Sequence, residues 1–259
     1  YNVGFLALLQ ANPGVDPYVP RAGSVLTIPL QTLLPDAPRE GLVINLAELR
    51  LYYYPPGKNE VTVYPIGIGQ LGGTTITPTM VTTVSDKRAN PTWTPTANIR
   101  ARYKAMGIEL PAVVPAGPDN PMGHHAIRLA AYGGVYLLHG TNADFGIGMR
   151  VSSGCIRLRD NDIKALYNTI SPGTKVNIIN TPIKASVEPD GRRLVEVHQP
   201  LSEHIDDDPQ TLPITLNAAM TAFKQAPQTD GTVMERAMNY RSGMPIDVTR
   251  HAEPGPQSL

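Results

Sequence analysis

Two side chains that can act together as a nucleophile and its base lie close together in the sequence. Cys155 is the only cysteine, and His139 precedes it by sixteen residues, at the end of an apolar segment. That spacing leaves room for a strand, a turn and a return beside the first strand. If the two side chains meet, the imidazole can take the thiol proton and leave a nucleophilic thiolate. A lone cysteine can equally be an inert buried hydrophobe, and His139 a hydrogen-bonded core histidine, so spacing alone leaves both interpretations open.

The backbone next to the cysteine is suited to acyl transfer. Gly154 removes a side chain where the chain must approach a substrate carbonyl, so the amides of Ser153, Gly154 and Cys155 could converge on a developing oxyanion. These three amides are therefore candidate oxyanion-hole donors.

A positively charged side chain follows the cysteine at a spacing of two residues, which is the repeat of one face of a strand. Arg157 lies two residues after Cys155, which places both side chains on one side of a strand, where the guanidinium could bind a substrate carboxylate. Arg157 could instead pair with Asp160 or Asp162, near the start of the following helix.

Short apolar segments broken by glycine and proline predict a strand-rich region between residues 40 and 181. Residues 42–46 and 49–54 are separated by two residues, which indicates a hairpin. Further strands are expected at residues 61–64, 112–114, 125–129, 135–139 and 175–179. Helical spacing of apolar residues predicts one helix over residues 161–170, ended by Pro172 and Gly173. We therefore expect a mainly β fold, a β-sandwich or open barrel with one or two helices.

Two shorter stretches flank this region. Residues 1–35 contain a segment typical of a short helix, at 3–9, and a strand-like segment at 25–28. Residues 182–259 open with a predicted hairpin around Pro189, Asp190 and Gly191, followed by helical segments at 216–224 and 233–240. We expect this last stretch to form a small α+β extension. The predicted division of the chain is thus 1–35, 40–181 and 182–259.

Composition excludes several classes of protein. The 259 residues carry 22 basic and 22 acidic side chains, and this neutral balance argues against a dedicated nucleic-acid binder. The 23 glycines and 26 prolines argue against an all-α fold. No segment has the roughly 20 predominantly apolar residues of a membrane-spanning helix. A single cysteine excludes an intrachain disulfide and a multi-cysteine zinc site, and His139 with Cys155 lacks further ligands at zinc spacing.

The block that holds both candidates resembles a known active-site signature. His139-Gly-Thr, a loop, Gly148 and then Ser152-x-Gly-Cys-x-Arg157 are similar to the signature of the L,D-transpeptidases of bacterial cell walls. Upstream segments also resemble family segments that line the groove, at residues 65–69, 91–95 and 115–123. The resemblance covers about residues 40–181 and is closest to the Gram-negative periplasmic members that join Braun's lipoprotein to peptidoglycan. The first 35 residues resemble most of a LysM module, a glycan-binding unit.

The resemblance implies roles for individual residues. Cys155 would be the nucleophile and His139 the general base and acid, with the backbone carbonyl of Gly140 orienting the imidazole. The other residues for which it implies contact with the substrate are Arg157, Ser152, Thr141 and Asn142. His124 and His125 are interpreted as loop residues near the groove, and Trp93 as a packing residue. No metal and no organic cofactor is implied.

The resemblance also implies a reaction and its partners. The enzyme would take the acyl group that ends in the third-position diamino acid of a peptidoglycan tetrapeptide stem. It would hold this group as a thioester and then transfer it to an amine. That amine would be the terminal lysine of Braun's lipoprotein or another stem's diamino acid. Glycan strands would be bound as part of the substrate, and carbapenem-type β-lactams would acylate the cysteine. The expected location is the periplasm, after removal of a signal peptide.

One residue departs from the family pattern. Members commonly carry histidine where Ser153 stands. Since the implied base is His139, and position 153 contributes mainly its backbone amide, we expect activity to survive with altered substrate contacts. Two alternatives remain: an L,D-carboxypeptidase, which would use water as acceptor, and a non-catalytic peptidoglycan-binding protein.

Overall fold

A computed structural model describes residues 1–71 and 76–251 of the chain. Its helices are α1 Phe5–Ala11, α2 Ala97–Ala105, α3 Asp160–Thr169, α4 Ala218–Gln225 and α5 Gly231–Tyr240. Its strands are β1 Gly41–Asn45, β2 Arg50–Tyr54, β3 Thr62–Pro65, β4 Ile68–Gly69, β5 Met80–Ala89, β6 His125–Leu129, β7 Leu137–His139, β8 Arg150–Ser152, β9 Ile156–Arg157, β10 Lys175–Ile179, β11 Ile183–Val187, β12 Arg193–Val197 and β13 Pro245–Asp247. No helix among these residues is both long and apolar enough to span a bilayer.

The region of residues 40–181 is built on one eight-stranded sheet with the order β3-β2-β1-β10-β5-β6-β7-β9. The sheet curls into a half-barrel, and an isolated bridge links residues near its two edges. Just beyond β3, the amide of Gly67 donates to the carbonyl of Arg157 in β9, and the reverse bond completes the bridge, each at 2.8 Å. A Cβ on Gly67 would lie 2.7 Å from the Gly146 carbonyl oxygen, so only glycine fits at this closure. The mainly β, open-barrel expectation is confirmed.

The main core lies on the inner face of this sheet. Alternate residues of each strand point inward, as the pleat requires, and they pack against the apolar face of α3. In β6, β7 and β9 the inward residues are Ile127, Leu129, Leu138 and Ile156. The remaining positions of the same strands face outward.

The C-terminal stretch forms a small α+β unit. Strands β11, β12 and β13 make a separate three-stranded sheet, and α4 and α5 pack on it around the buried residues Val195, Val197, Met234 and Val248. The predicted α+β extension is confirmed for residues 182–251, and its last residues, 252–259, lie outside the described part of the chain.

A buried cluster of charged side chains joins the two sheets. Lys184 of β11 lies 2.8 Å from Glu48 and 3.1 Å from Glu196, and Arg50 lies 2.7 Å from Glu196. The backbone of Leu33, in the N-terminal stretch, donates to Glu196. All three predicted stretches are therefore connected through one cluster of ion pairs and hydrogen bonds.

Some expected elements differ. Residues 25–28 belong to no strand, so the LysM resemblance of the first 35 residues stays a prediction. Of the segment 112–114 only Val114 pairs, in a single bridge to Trp93. Helix α2 and the long strand β5 were not expected from the sequence.

Candidate active site

The two central residues lie on neighbouring parallel strands. In the register of β7 and β9, Leu138 is opposite Ile156 and His139 is opposite Arg157. Partners in a ladder share a face and alternate residues share a face, so His139, Arg157 and Cys155 all point outward. This register brings the three residues together at one end of adjacent strands.

The neighbouring strands extend this face into a groove floor. Cross-strand partners form two rows on this face. One row contains Asp86, Arg128 and Leu137, and the other contains Arg88, Ala126, His139 and Arg157. Cys155, two residues before Arg157 and on the same face, extends the first row. All eight residues line a cavity of about 780 Å³. One wall of the cavity comes from the segment around α2, including Trp93, Arg102 and Tyr103.

His139 is held in one orientation. Its Nδ1 lies 2.6 Å from the carbonyl oxygen of Gly140, and because a carbonyl can only accept, Nδ1 carries the proton and Nε2 is free to act as a base. Burial lowers the pKa of His139 to about 4; the Gly140 hydrogen bond opposes this shift, and the charge of Arg157 adds to it. The imidazole is therefore neutral near pH 7.

Cys155 is half-buried at the groove floor. Burial raises the pKa of its thiol, while the backbone amide of Leu137 and the charges of Arg157 and Arg128 oppose the rise. The sulfur lies 3.8 Å from the Val135 carbonyl oxygen, and within the described residues it makes no hydrogen bond to the His139 ring. The resting pair is thus a neutral thiol and a neutral imidazole, rather than a preformed ion pair.

The turn before Cys155 is fixed by short-range bonds. Gly154 has a φ of +106°, a conformation that glycine tolerates best, and its carbonyl accepts a 2.9 Å bond from Thr77. The buried Ser152 hydroxyl donates to the Cys155 carbonyl and accepts from the Gly154 amide at 3.3 Å. Ser152 therefore shapes the turn. Of the three predicted oxyanion donors, the amides of Ser153 and Cys155 donate to no other described group.

Arg157 has an unused donor. Its Nε is buried without a hydrogen-bond partner in the described part of the chain. The alternative pairings with Asp160 and Asp162 do not occur, since Asp160 binds His124 at 2.7 Å and Asp162 accepts from Asn2. Arg157 also lines the cavity, so its guanidinium can contact a carboxylate in the groove.

Thr141 and Asn142, which were also predicted to contact the substrate, lie outside the cavity. The Thr141 hydroxyl is bonded to the backbone of Ala143, at 2.8 Å to its carbonyl, and Asn142 is an exposed residue of the same turn. Neither is among the residues that line the cavity. Their contact with substrate stays a prediction.

Sequence reasoning missed the charged residues of the floor, Asp86, Arg88 and Arg128. The available signal is in β6, where the charged Arg128 lies between the buried residues Ile127 and Leu129. Trp93 was interpreted as a packing residue; it is half-buried and lines the cavity. His124 and His125 do not line it.

One group of described residues has the composition of a metal site: Glu48, Glu196 and His198, all buried. The amino group of Lys184 already lies beside both carboxylates, and His198 Nε2 is 2.7 Å from Glu196. Cations of the protein thus balance these acids, and the group fits an ion-pair network better than a metal centre.

Comparison with known families identifies two domains. Residues 39–178 match the L,D-transpeptidase catalytic domain, and residues 182–248 match the L,D-transpeptidase C-terminal domain. The first range contains every groove residue described above.

Similar proteins carry the same description. A probable L,D-transpeptidase of Escherichia coli K12, YcfS, is 85% identical over 259 residues, which is all of this chain and 81% of that protein. A second from the same strain, YbiS, is 52% identical over 95% of this chain and 80% of that protein. L,D-transpeptidase 3 of Mycobacterium tuberculosis, solved with a faropenem-derived adduct, aligns over 55% of this chain and 60% of its own, with 20% identity and a TM-score of 0.36. The chain therefore belongs to the L,D-transpeptidase family of enzymes.

Proposed function

We propose that this L,D-transpeptidase uses Cys155 to take an acyl group from a peptidoglycan tetrapeptide stem and passes it to an amine. The observation that carries the proposal is the common face of β7 and β9, which presents Cys155, His139 and Arg157 together on the floor of one cavity. A nucleophile, a base and a carboxylate-binding cation are the groups that acyl transfer from a peptide stem requires.

The first half-reaction forms a thioester. The thiol turns from the Val135 carbonyl towards Nε2 of His139, which takes its proton as the sulfur attacks the carbonyl carbon of the third-position diamino acid. The free amides of Ser153 and Cys155 stabilise the oxyanion. The imidazolium then protonates the departing amine of D-alanine, and the C–N bond breaks.

The second half-reaction uses the same groups in reverse. An acceptor amine loses its proton to His139 and attacks the thioester carbonyl; the C–S bond breaks, and the imidazolium returns a proton to the thiolate. The preferred acceptor is the C-terminal lysine of Braun's lipoprotein, because the sequence resembles the members that make this attachment. The other proposed acceptor is the diamino acid of another stem. Since peptidoglycan and its lipoprotein are periplasmic in Gram-negative cells, we place the reaction in the periplasm.

The charge of the groove supports an anionic peptide as donor. Four arginines but a single aspartate are among the described residues that line it: Arg88, Arg102, Arg128, Arg157 and Asp86. A stem peptide carries free carboxylates, which arginine binds through its planar pair of donors.

Mass spectrometry of the enzyme with a tetrapeptide muropeptide tests the proposal. We expect an adduct on Cys155 equal to the stem minus D-alanine, which disappears on addition of an amine acceptor as the amide product accumulates. Cys155→Ala should form no adduct and retain the wild-type unfolding midpoint. Release of a tripeptide in the presence of amine would instead identify a carboxypeptidase, and turnover by Cys155→Ala would remove the sulfur from the mechanism.

A carbapenem offers an independent probe of the same sulfur. We expect opening of the β-lactam ring to leave a covalent adduct on Cys155, since the strained amide presents the same electrophilic carbonyl. A protein that only binds peptidoglycan would remain unmodified.

A further inference from the structure

We propose that residues 2–6, here called the N-terminal clamp, are positioning residues of the catalytic centre. They lie outside the range 39–178 that matches the catalytic domain, yet they contact the loop that joins His139 to Cys155. The activity part of this inference rests on the proposed chemistry of Cys155; the structural part does not.

The first contact is a pair of backbone hydrogen bonds. The amides at the start of a helix have no partner within the helix. At the start of α1, the Phe5 amide donates to the Ile147 carbonyl at 3.1 Å, and the Leu6 amide donates to the Gly148 carbonyl at 3.2 Å. The helix start is therefore completed by the catalytic loop.

Two glycines allow this close approach. A Cβ on Gly4 would lie 2.9 Å from the Cα of Gly148, and a Cβ on Gly148 would lie 2.3 Å from the amide nitrogen of Phe5. Gly148 also has a φ of +76°, whereas Gly4 has an ordinary φ of −76°. The contact is backbone against backbone, and a single added methyl group at Gly4 would push the two segments apart.

The clamp has a second attachment on the other side of the cysteine. The Arg159 guanidinium binds the Val3 carbonyl at 3.1 Å and the side chain of Asn2, and Asn2 donates to Asp162 at 3.4 Å. Arg159 follows Cys155 by four residues and immediately precedes α3. The clamp thus spans the chain segments before and after the nucleophile.

The opposite side of the loop is also fixed. The Gly148 amide donates to the Ile66 carbonyl at 2.9 Å, and the Ile68 amide donates to the Met149 carbonyl at 3.0 Å. Residues 146–149 are therefore held between the clamp and the β3–β4 connection. They continue directly into β8, whose last residue, Ser152, bonds the Cys155 carbonyl. A shift of the loop would accordingly move the backbone that carries the sulfur and the oxyanion donors.

Substitution of Gly4 by alanine tests the clamp in the whole protein. Gly231→Ala is the matched control, because no atom lies within 4 Å of the position that its added methyl group would occupy and it has no positive φ. We expect Gly4→Ala to slow single-turnover acylation by a soluble tetrapeptide muropeptide at least about ten-fold, with little change in KM, since misplacement of reacting groups lowers the chemical step. Amide hydrogen exchange at residues 146–149 should accelerate in Gly4→Ala and not in Gly231→Ala.

Asn2→Ala provides a second variant, since the Asn2 side chain is exposed and its removal leaves no cavity in the core. It should lower the acylation rate in the same direction, by a smaller factor, with an unchanged unfolding midpoint. If both clamp variants are acylated at the wild-type rate, the positioning role is overturned, whether or not hydrogen exchange changes. Failure of the wild-type protein to acylate would refute the proposed function instead, and the exchange experiment would still decide whether the clamp orders the loop.

Discussion

The carbonyl oxygen of Gly140 lies 2.6 Å from Nδ1 of His139, and the carboxylate of Asp160 lies against the same glycine. A Cβ on Gly140 would be 2.5 Å from Oδ1 of Asp160 and 3.2 Å from the side chain of Ile163. Asp160 is itself fixed, because it accepts a 2.9 Å bond from the His124 amide. The carbonyl that sets the imidazole tautomer therefore depends on the absence of a side chain at its own residue.

Gly140→Ala should uncouple the imidazole from its orienting carbonyl. The added methyl group meets the Asp160 carboxylate, so the peptide must move and the Nδ1 hydrogen bond must lengthen. We expect acylation of Cys155 to slow by about a hundred-fold, from misplacement of the base. Single-turnover kinetics measure the rate, and the imidazole proton resonances report the tautomer. An unchanged rate would show that the Gly140 carbonyl is not needed to orient His139.

The resting protonation states predict the pH dependence of acylation. Because the pKa of His139 is lowered to about 4, the ring is a competent base above that pH and loses this role only below it. Because burial raises the pKa of the Cys155 thiol, uncatalysed alkylation should increase with pH beyond the ordinary thiol range. Mass spectrometry of iodoacetamide-treated protein from about pH 4 to 10 measures the second effect. A reactivity plateau between about pH 4 and 7 would reveal a preformed thiolate–imidazolium pair instead.

Arg157 should contribute to substrate binding through its guanidinium. Its Nε is buried without a partner among the described residues, and its backbone is already fixed by Gly67. Loss of one charge-assisted hydrogen bond typically costs about 1.5–3 kcal/mol, so Arg157→Gln should lower kcat/KM by roughly ten- to a hundred-fold. Arg192→Gln, on the exposed hairpin, is the matched control. The loss should vanish with a donor whose carboxylates are amidated; an equal loss with both donors would contradict carboxylate binding.

Strand β5 shows why part of the fold could not be predicted from the sequence. Only Val84 of its ten residues is buried. Asp86 and Arg88 face the groove, and on the other side Lys87 donates to carbonyls at the end of α3, at 2.6 Å. A strand with polar groups on both faces has no apolar alternation to detect. Helix α2 has no buried residue either, so it lacks the apolar stripe by which α3 was predicted.

The candidate site was predictable only where its residues are close in sequence. Cys155, His139 and Arg157 fall within one short stretch that contains a recognisable signature. Arg128 and Asp86 join the site through strand register, which is set by hydrogen bonding between segments far apart in the chain. The N-terminal clamp is more remote still, and no local pattern marks Gly4 as a partner of Gly148.

The buried cluster predicts a loss of stability in acid. Burial alone would raise the pKa of Glu196, but its hydrogen bond to His198 and the charges of Lys184 and Arg50 lower it to about 2. A carboxyl group with a depressed pKa stabilises the folded state above its unfolded pKa, and this contribution is lost as the pH falls through the folded value. The free energy of unfolding should therefore fall between about pH 4.5 and pH 2, with about 3 kcal/mol attributable to Glu196.

Denaturant unfolding of Glu196→Gln, measured at several pH values, isolates that contribution. The variant should be less stable by about 3–5 kcal/mol at pH 7, because Lys184 and Arg50 remain buried with one carboxylate fewer, and its stability should depend less on pH below about 4.5. Glu60→Gln removes the same charge from an exposed pair and should keep the wild-type pH dependence. Equal acid sensitivity of wild type and Glu196→Gln would place the titrating groups elsewhere. Because the cluster joins both sheets to the N-terminal stretch, we expect the whole chain to unfold in one transition.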